Sequence, residues 1–426
     1  MAAVGIEAIN LYGGSAVVDL MQLAGHRKMD TARFENLLIK QKSVALPYED
    51  PVTFAVNAAK PIIDQLSEAE RDRIELLITC TESGIDFGKS LSTYVHQHLG
   101  LKRNCRLFEI KQACYSGTAG LQMAISFILS QASPGAKALV IATDLSRFLV
   151  AGDGDGTLTM DWEYFEPSGG AGAMALLVSE KPEVLQIDVG ANGYYSFEVM
   201  DTCRPIPDSE AGNADLSLLA YLDCCNETFL EYRRRVPEAD YRTTFDYLCF
   251  HTPFGGMVKG AHRTMMRKHS NVRREEIEQD FERRVKPGLT LCQRVGNIMG
   301  ATVLLSLASA IDQGTFDAPR RIGCFSYGSG CSSEFYSGVV TPAGHHKVKA
   351  MQLEHHLDGR YRLSMAEYEA VLEGSSAVKF GTRAVVLDTN LLPDVWRSIQ
   401  DGSRGAAGKR LFLTEIKEFH RQYAWV

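Results

Sequence analysis

Cys114 stands where a thiol is most readily turned into a nucleophile. It follows a predicted strand, Cys105-Arg-Leu-Phe-Glu-Ile110, and precedes Ser116-Gly-Thr-Ala-Gly120, small residues that open a helix. The positive end of a helix favours a thiolate, and the two glycines leave room for a carbonyl to approach backbone N–H groups that could form an oxyanion hole. Three more residues occupy comparable junctions. Glu82 ends Leu77-Ile-Thr-Cys-Thr-Glu82, where a carboxylate partly withdrawn from water could remove a weakly acidic proton. His251 ends the run Phe245-Asp-Tyr-Leu-Cys-Phe250 and is followed by Thr252-Pro253, which must stop the strand. An imidazole at a strand end faces a cleft more often than a core, and it can donate a hydrogen bond or take a proton near neutral pH. Asn297 lies in Arg294-Val-Gly-Asn-Ile-Met-Gly300, just before the apolar run 301–310. Each residue also has a plainer reading: a core cysteine, a surface carboxylate, a structural histidine and a helix N-cap. Taken one at a time, the four remain open between the two.

Other motifs carry less. The stretch Phe325-Ser-Tyr-Gly-Ser-Gly330 predicts a tight turn whose backbone can approach a ligand. Segment 151–172 is rich in Gly and Asp, and Asp153 and Asp155 suggest calcium. It lacks the acidic residue at the twelfth loop position and the flanking helices that an EF-hand needs, so it reads as surface loop. The His345-His346 and His355-His356 pairs show no metal spacing and read as exposed polar loop.

The elements that would position these side chains alternate along the chain. Short Val-, Ile- and Leu-rich runs predict strands over 74–80, 106–110, 138–143, 172–178, 245–250 and 321–326. Helix-period segments predict helices over 51–66, 89–98, 116–130, 255–269 and 296–312. That order is α/β architecture with buried strands, and its second half repeats the alternation of the first, with a boundary near residue 180.

With 426 residues, 45% of them hydrophobic and 23% charged, the chain is long and apolar enough for a large core. A net charge of -7 excludes the basic footprint of a nucleic-acid binder, so a phosphate-bearing ligand would have to be met by a local basic patch. The ten cysteines form no CxxC pair, which argues against zinc and a disulfide framework and for a reducing compartment. No basic leader and no apolar stretch of about 18 residues appears, so the expected location is cytoplasmic, with no membrane partner.

Together, the order Glu82, Cys114, His251, Asn297 and Ser326-Tyr-Gly-Ser-Gly330 resembles the hydroxymethylglutaryl-CoA synthases of the thiolase superfamily, over nearly the whole chain. Ala113-Cys-Tyr-Ser-Gly-Thr-Ala119 is similar to that family's nucleophile motif and His251-Thr-Pro-Phe254 to its histidine motif. The resemblance implies a five-layered αβαβα thiolase-like fold with two pseudo-related halves, 1–180 carrying Glu82 and Cys114, and 181–426 carrying His251 and Asn297. It implies that Cys114 takes an acetyl group, that Glu82 removes a methyl proton, and that His251 and Asn297 hydrogen-bond the acceptor. Ser168, Ser217, Tyr327, Gly328 and Ser329 fall where the family contacts substrate. No metal and no bound cofactor are implied, since phosphopantetheine carries the substrates.

Within the family, Ala45-Leu-Pro-Tyr-Glu-Asp50 and Lys111-Gln-Ala-Cys-Tyr-Ser-Gly117 look like the branch that installs β-branches on polyketides. Where CoA-using members have a lysine five residues after the histidine, this chain has Gly256. The implied partners are an acetyl-donor acyl carrier protein and an acceptor carrier protein bearing a β-ketoacyl chain. Arg33, Lys259, Arg263 and Arg267 could meet an acidic carrier by charge complementarity, and a homodimer is the implied assembly. The alternatives are a CoA-dependent synthase of primary metabolism, an initiating ketoacyl synthase with no need of Glu82, and a carrier-docking scaffold without turnover. A papain-like protease is disfavoured by sequence context.

Overall fold

The computed structural model describes residues 3–31, 34, 37–146, 162–206, 209–401 and 408–426. In its first part the chain forms β1 (Gly5–Tyr12), α1 (Pro51–Asp64), β2 (Ile74–Cys80), β3 (Arg106–Ile110), α2 (Ser116–Ser130), β4 (Lys137–Leu145), α3 (Trp162–Ser168) and β5 (Ala171–Ser179). It continues through β6 (Leu185–Ser196), β7 (Thr202–Ile206), α4 (Ala214–Arg235), β8 (Tyr247–Phe250), α5 (Gly255–His269), α6 (Thr302–Gln313), β9 (Arg320–Gly328) and β10 (Ser332–Val340). The helix starts follow from local chemistry. Asp50 caps α1 by accepting the Thr53 N–H at 2.9 Å with Pro51 in the first turn, and Asn213 caps α4 through the Leu216 N–H.

Nine strands hydrogen-bond in the order β8-β9-β10-β6-β1-β5-β4-β2-β3. Outward from the middle, β1 pairs antiparallel with β5, β5 antiparallel with β4, and β4 parallel with β2. On the other side β6 pairs antiparallel with β10, β10 antiparallel with β9, and β9 parallel with β8. One topology is thus used twice, and in the sheet the two runs are joined where Gly5 and Ile6 pair with Gln186 and Leu185. A Cβ on Gly5 would lie 2.0 Å from the Leu185 carbonyl oxygen, so only glycine permits that contact.

Side-chain alternation builds the layers. Leu76, Ile78 and Cys80 of β2, Val140 and Ala142 of β4, and Cys249 and Ile322 of the other run pack into one core with α2 and α6. The opposite faces of β2, β4 and β5, through Leu77, Leu139 and Leu177, pack on α1. Leu248, Phe250, Phe325 and Phe335 pack on α4 and α5. The result is helix, sheet, helix pair, sheet, helix, the αβαβα arrangement expected.

The strands over 74–80 and 106–110 and the helices over 116–130 and 255–269 coincide with expectation. Elsewhere the structure corrects it. The predicted 151–172 loop ends in α3 and enters β5 at Ala171, while Asp153 and Asp155 lie outside the described residues. The helix expected over 296–312 starts as a short 3-10 turn, Met299–Ala301, and becomes α-helical only at Thr302. The histidine pairs lie on helices Pro342–Ala350 and Leu353–Asp358 rather than in loop. His356 accepts the Gly13 N–H at 2.9 Å and stacks on Tyr12, and its surroundings push its pKa down to about 3 through loss of water contact.

Candidate active site

All four candidate residues come from corresponding places in the two runs. Glu82 follows β2 as His251 follows β8, and Cys114 precedes α2 as Asn297 precedes α6. They line one cleft of about 1440 Å³ together with Ser168, Ser217, Tyr327 and Ser329.

Cys114 Sγ–H donates to Oε1 of Glu82 at 3.5 Å. Ala113, just before the cysteine, holds φ +43°, a left-handed conformation costly for a residue with a Cβ, which turns the chain sharply into α2. The N-cap residue of α2, Tyr115, makes no side-chain capping hydrogen bond, and the positive end of the helix lies close to the thiol. Behind the cysteine, Tyr115 donates to Glu334 at 2.7 Å, and Gln122 and Asn192 donate to the same buried carboxylate.

The strand-end turn that presents Glu82 is gripped by Asp144, fully buried at the end of β4. Its Oδ1 accepts the Glu82 N–H at 2.9 Å, the Ser83 N–H at 3.0 Å and the Thr81 hydroxyl at 3.0 Å. Burial pushes the Asp144 carboxyl up to about 6, a rise opposed by the nearby Arg204 guanidinium and by these hydrogen bonds. Arg204, on β7, places Nε 3.4 Å from Glu82 Oε2.

His251 is only 2% exposed. Its N–H donates to the Phe325 carbonyl at 2.8 Å and its carbonyl accepts from Tyr221 at 2.7 Å, which fixes the backbone while the ring lines the cleft. Burial pushes its pKa down to about 3, so the imidazole is neutral across the physiological range. Asn297 uses Oδ1 to accept the Met299 N–H at 3.0 Å and the Thr302 hydroxyl at 2.9 Å. It is therefore both a cap, as its sequence position suggests, and a residue whose amide NH₂ is left to serve the cleft as a donor.

Glycines lock the four residues into register. A Cβ on Gly117 would lie 2.1 Å from the Gly300 carbonyl oxygen, and one on Gly300 would lie 2.2 Å from Ser116 Oγ. Gly170 packs equally close on the Val295 carbonyl, while Asn297 N–H donates to the Ser168 carbonyl at 2.7 Å. These backbone contacts between the Cys114 and Asn297 segments bring both into one site.

The remaining expected residues divide. Ser168, Ser217 and Ser329 line the cleft. Tyr327 also lines it, but its hydroxyl donates to Asp201 at 2.6 Å rather than pointing a free donor at a ligand. Gly328 stands behind the wall, where a Cβ would lie 2.4 Å from the Tyr115 nitrogen, so its role is close packing under the nucleophile turn. Lys259 and Arg263 pair with Glu278 at 2.8 and 2.7 Å, and Arg267 is exposed in the last turn of α5. None of the three reaches the cleft lining, and Arg33 lies outside the described residues. Asp144 and Arg204 were not singled out from sequence, because their partners are 62 and 122 positions away. A buried-strand aspartate at the end of Leu139-Val-Ile-Ala-Thr-Asp144 was the one available signal.

All ten cysteines are free, and among the described residues no group of three or more His, Cys, Asp or Glu could hold a metal. Among the same residues no helix is long and apolar enough to cross a membrane.

Comparison with known proteins bears on this geometry. Residues 1–183 match the family described as hydroxymethylglutaryl-coenzyme A synthase N terminal, and residues 267–383 match the corresponding C-terminal family. The chain is 68% identical over 426 residues, all of both chains, to the polyketide biosynthesis 3-hydroxy-3-methylglutaryl-ACP synthase PksG of Bacillus subtilis (strain 168). It is 32% identical over 376 residues, 86% of this chain and 91% of the relative, to the hydroxymethylglutaryl-CoA synthase of Enterococcus faecalis. The solved structure of the curacin biosynthetic pathway HMG synthase in complex with acetyl donor-ACP superposes with a TM-score of 0.95 at 64% identity, covering 100% of both chains.

Proposed function

The chain belongs to the hydroxymethylglutaryl-CoA synthase family, and from that premise we propose that it adds an acetyl group, delivered by an acyl carrier protein, to the ketone of a β-ketoacyl chain on a second carrier. The product is a hydroxymethylglutaryl-type β-branched acyl chain of a polyketide pathway. The observation that carries the reading is the 3.5 Å contact between a thiol and a carboxylate in a cleft that also holds a neutral imidazole and an amide donor.

In the first step the Cys114 sulfur attacks the acetyl thioester, forming acetyl-Cys114 and releasing the carrier's pantetheine thiol. Glu82 then takes a proton from the acetyl methyl, and the resulting enolate carbon attacks the acceptor ketone. The ketone oxygen becomes an alkoxide and accepts a proton. His251, neutral at working pH, serves as a hydrogen-bond partner to that oxygen, and the Asn297 amide as a second donor. One well-placed donor of this kind is worth about 3 kcal/mol. Water then hydrolyses the Cys114 thioester, freeing the sulfur and leaving a carboxylate on the branched chain. The residues present need no prosthetic group for these steps, because the phosphopantetheine arms arrive with the substrates.

Carrier delivery is supported by the names of two relatives that are more than 60% identical and by Gly256 in place of a lysine in CoA-using members. We place the enzyme in the cytoplasm as a homodimer, divided into functional halves at residue 180, with the edge of β3, which pairs on one side only among the described residues, as the surface offered to a second copy. Arg267, exposed on α5, is the best placed of the three described basic candidates to meet an acidic carrier.

Intact-mass measurement tests the reading. Wild type incubated with acetyl-carrier protein gains one acetyl group on Cys114 and loses it on adding a β-ketoacyl-carrier acceptor. Faster loading from free acetyl-CoA than from the carrier would instead assign the chain to CoA-dependent metabolism.

A further inference from the structure

A carboxylate has two oxygens, and the surroundings of Glu82 treat them differently. Oε1 meets the Cys114 thiol at 3.5 Å, whereas Oε2 lies 3.4 Å from Arg204 Nε. The same guanidinium donates from Nη1 to the Glu82 carbonyl at 3.3 Å and to Ser83 Oγ at 3.4 Å, so it bonds to the turn directly and stands at ion-pair distance from the Glu82 carboxylate. Both side chains are largely withdrawn from water, at 15% and 16% exposure, where a charge pair is screened far less than on the surface.

Arg204 is itself well founded. It comes from the second part of the chain, on β7, whose entry is fixed by the fully buried Asp201. That aspartate accepts the Tyr327 hydroxyl at 2.6 Å and the Gly330 N–H at 2.9 Å, and its carbonyl accepts the Asn213 N–H at 2.7 Å. Behind the other side of the turn, Asp144 holds the Thr81, Glu82 and Ser83 donors. The Glu82 turn is therefore clamped from two elements, by an anion that holds its backbone and a cation that also reaches its carboxylate.

We propose that Arg204 is a positioning residue for Glu82, holding Oε2 so that Oε1 alone is offered to the acetyl methyl carried on Cys114. The inference rests on the proposed condensation and deepens it by assigning the proton to one oxygen. In that step the C–H electron pair passes into the enolate, the proton goes to Oε1, and Arg204 changes neither charge nor bonding. A neutral residue at 204 lets the carboxylate rotate and loses orientation, an effect larger on proton abstraction than on acetyl transfer, which does not use Glu82 as a base.

The test loads Cys114 with trideuteroacetyl from acetyl-carrier protein and follows both acetylation and loss of deuterium from the methyl by mass spectrometry. In Arg204→Met the ratio of exchange rate to acetylation rate is expected to fall by roughly thirtyfold. In Arg204→Lys, which keeps the charge but not the fork, the ratio should recover to within about fivefold of wild type. A ratio unchanged in Arg204→Met, or an equal fall in both variants, overturns the proposal. Wild type that acetylates but never exchanges would overturn the role of Glu82 first, and this inference with it.

Discussion

After β2 the chain presents Glu82, and after β8, the strand in the same place in the other run, it presents His251. Before α2 stands Cys114, and before α6, in the matching place, stands Asn297. The scaffold is the same, but the surroundings differ. On the first side the residues are partly reachable by solvent, and the carboxylate has a guanidinium for company. On the second side the imidazole is 2% exposed and held neutral by burial, and the amide oxygen is already bonded. In the proposed condensation, covalent and proton-moving work would fall where charge is tolerated, and His251 would hydrogen-bond the developing oxyanion from a dry surrounding that strengthens the bond, while Asn297 is half-buried like Cys114 and Glu82.

Substitutions on the two sides should therefore fail at different steps. Cys114→Ser should have the largest effect, losing acetyl-enzyme and turnover by at least about 10⁴-fold, as read by intact mass and product formation. Glu82→Gln should keep Cys114 acetylation but lose condensation by roughly 10³-fold or more, since the base is gone while the nucleophile remains. An equal loss of acetylation would mean that the carboxylate serves the thiol instead, and the division of labour would break down.

His251→Ala should reduce condensation by about 10²- to 10³-fold with acetylation less affected, the size expected for one oxyanion partner. The same residue leaves a signature in stability. Because burial lowers its pKa from 6.5 to about 3, the unfolded chain takes up a proton below pH 6.5 that the native protein refuses, so stability falls as pH drops from 6.5 towards 3. Melting temperatures of His251→Asn should fall less steeply over that window than those of wild type. Parallel curves would show that the ring is not the source. The smallest effect is expected at the rim, where Arg267→Glu should lower kcat/KM for a carrier-borne donor by about two- to fivefold and leave a pantetheine donor unaffected.

How much of this was legible in the sequence depended on the range of the forces involved. The strand 74–80 is readable because a buried strand needs a nearly continuous apolar run, the edge strand 106–110 because its apolar residues are interleaved with Arg106 and Glu109, and the helix 116–130 because apolar residues recur along it at helical spacing. α6 starts a few residues later than its apolar period predicts: Asn297 and Thr302 bond to each other across a first turn that takes a 3-10 form. The histidine pairs were read as loop because His356 owes its surroundings to Gly13, 343 positions earlier. Cys114, Glu82, His251 and Asn297 all stand at element ends and could be named as candidates. Their convergence is implied only by the family resemblance, since it depends on contacts such as Gly117 against Gly300 that no local pattern announces.

Those two glycines carry a further consequence. Where the Gly117 main chain rests directly on the Gly300 carbonyl, no side chain stands between the two whose rotation could open a gap, so this seam resists shearing. The two ledges that carry Cys114 and Asn297 are thereby pinned edge to edge, so a bulkier residue in place of either glycine would push them apart and widen the gap across which the new carbon–carbon bond has to close.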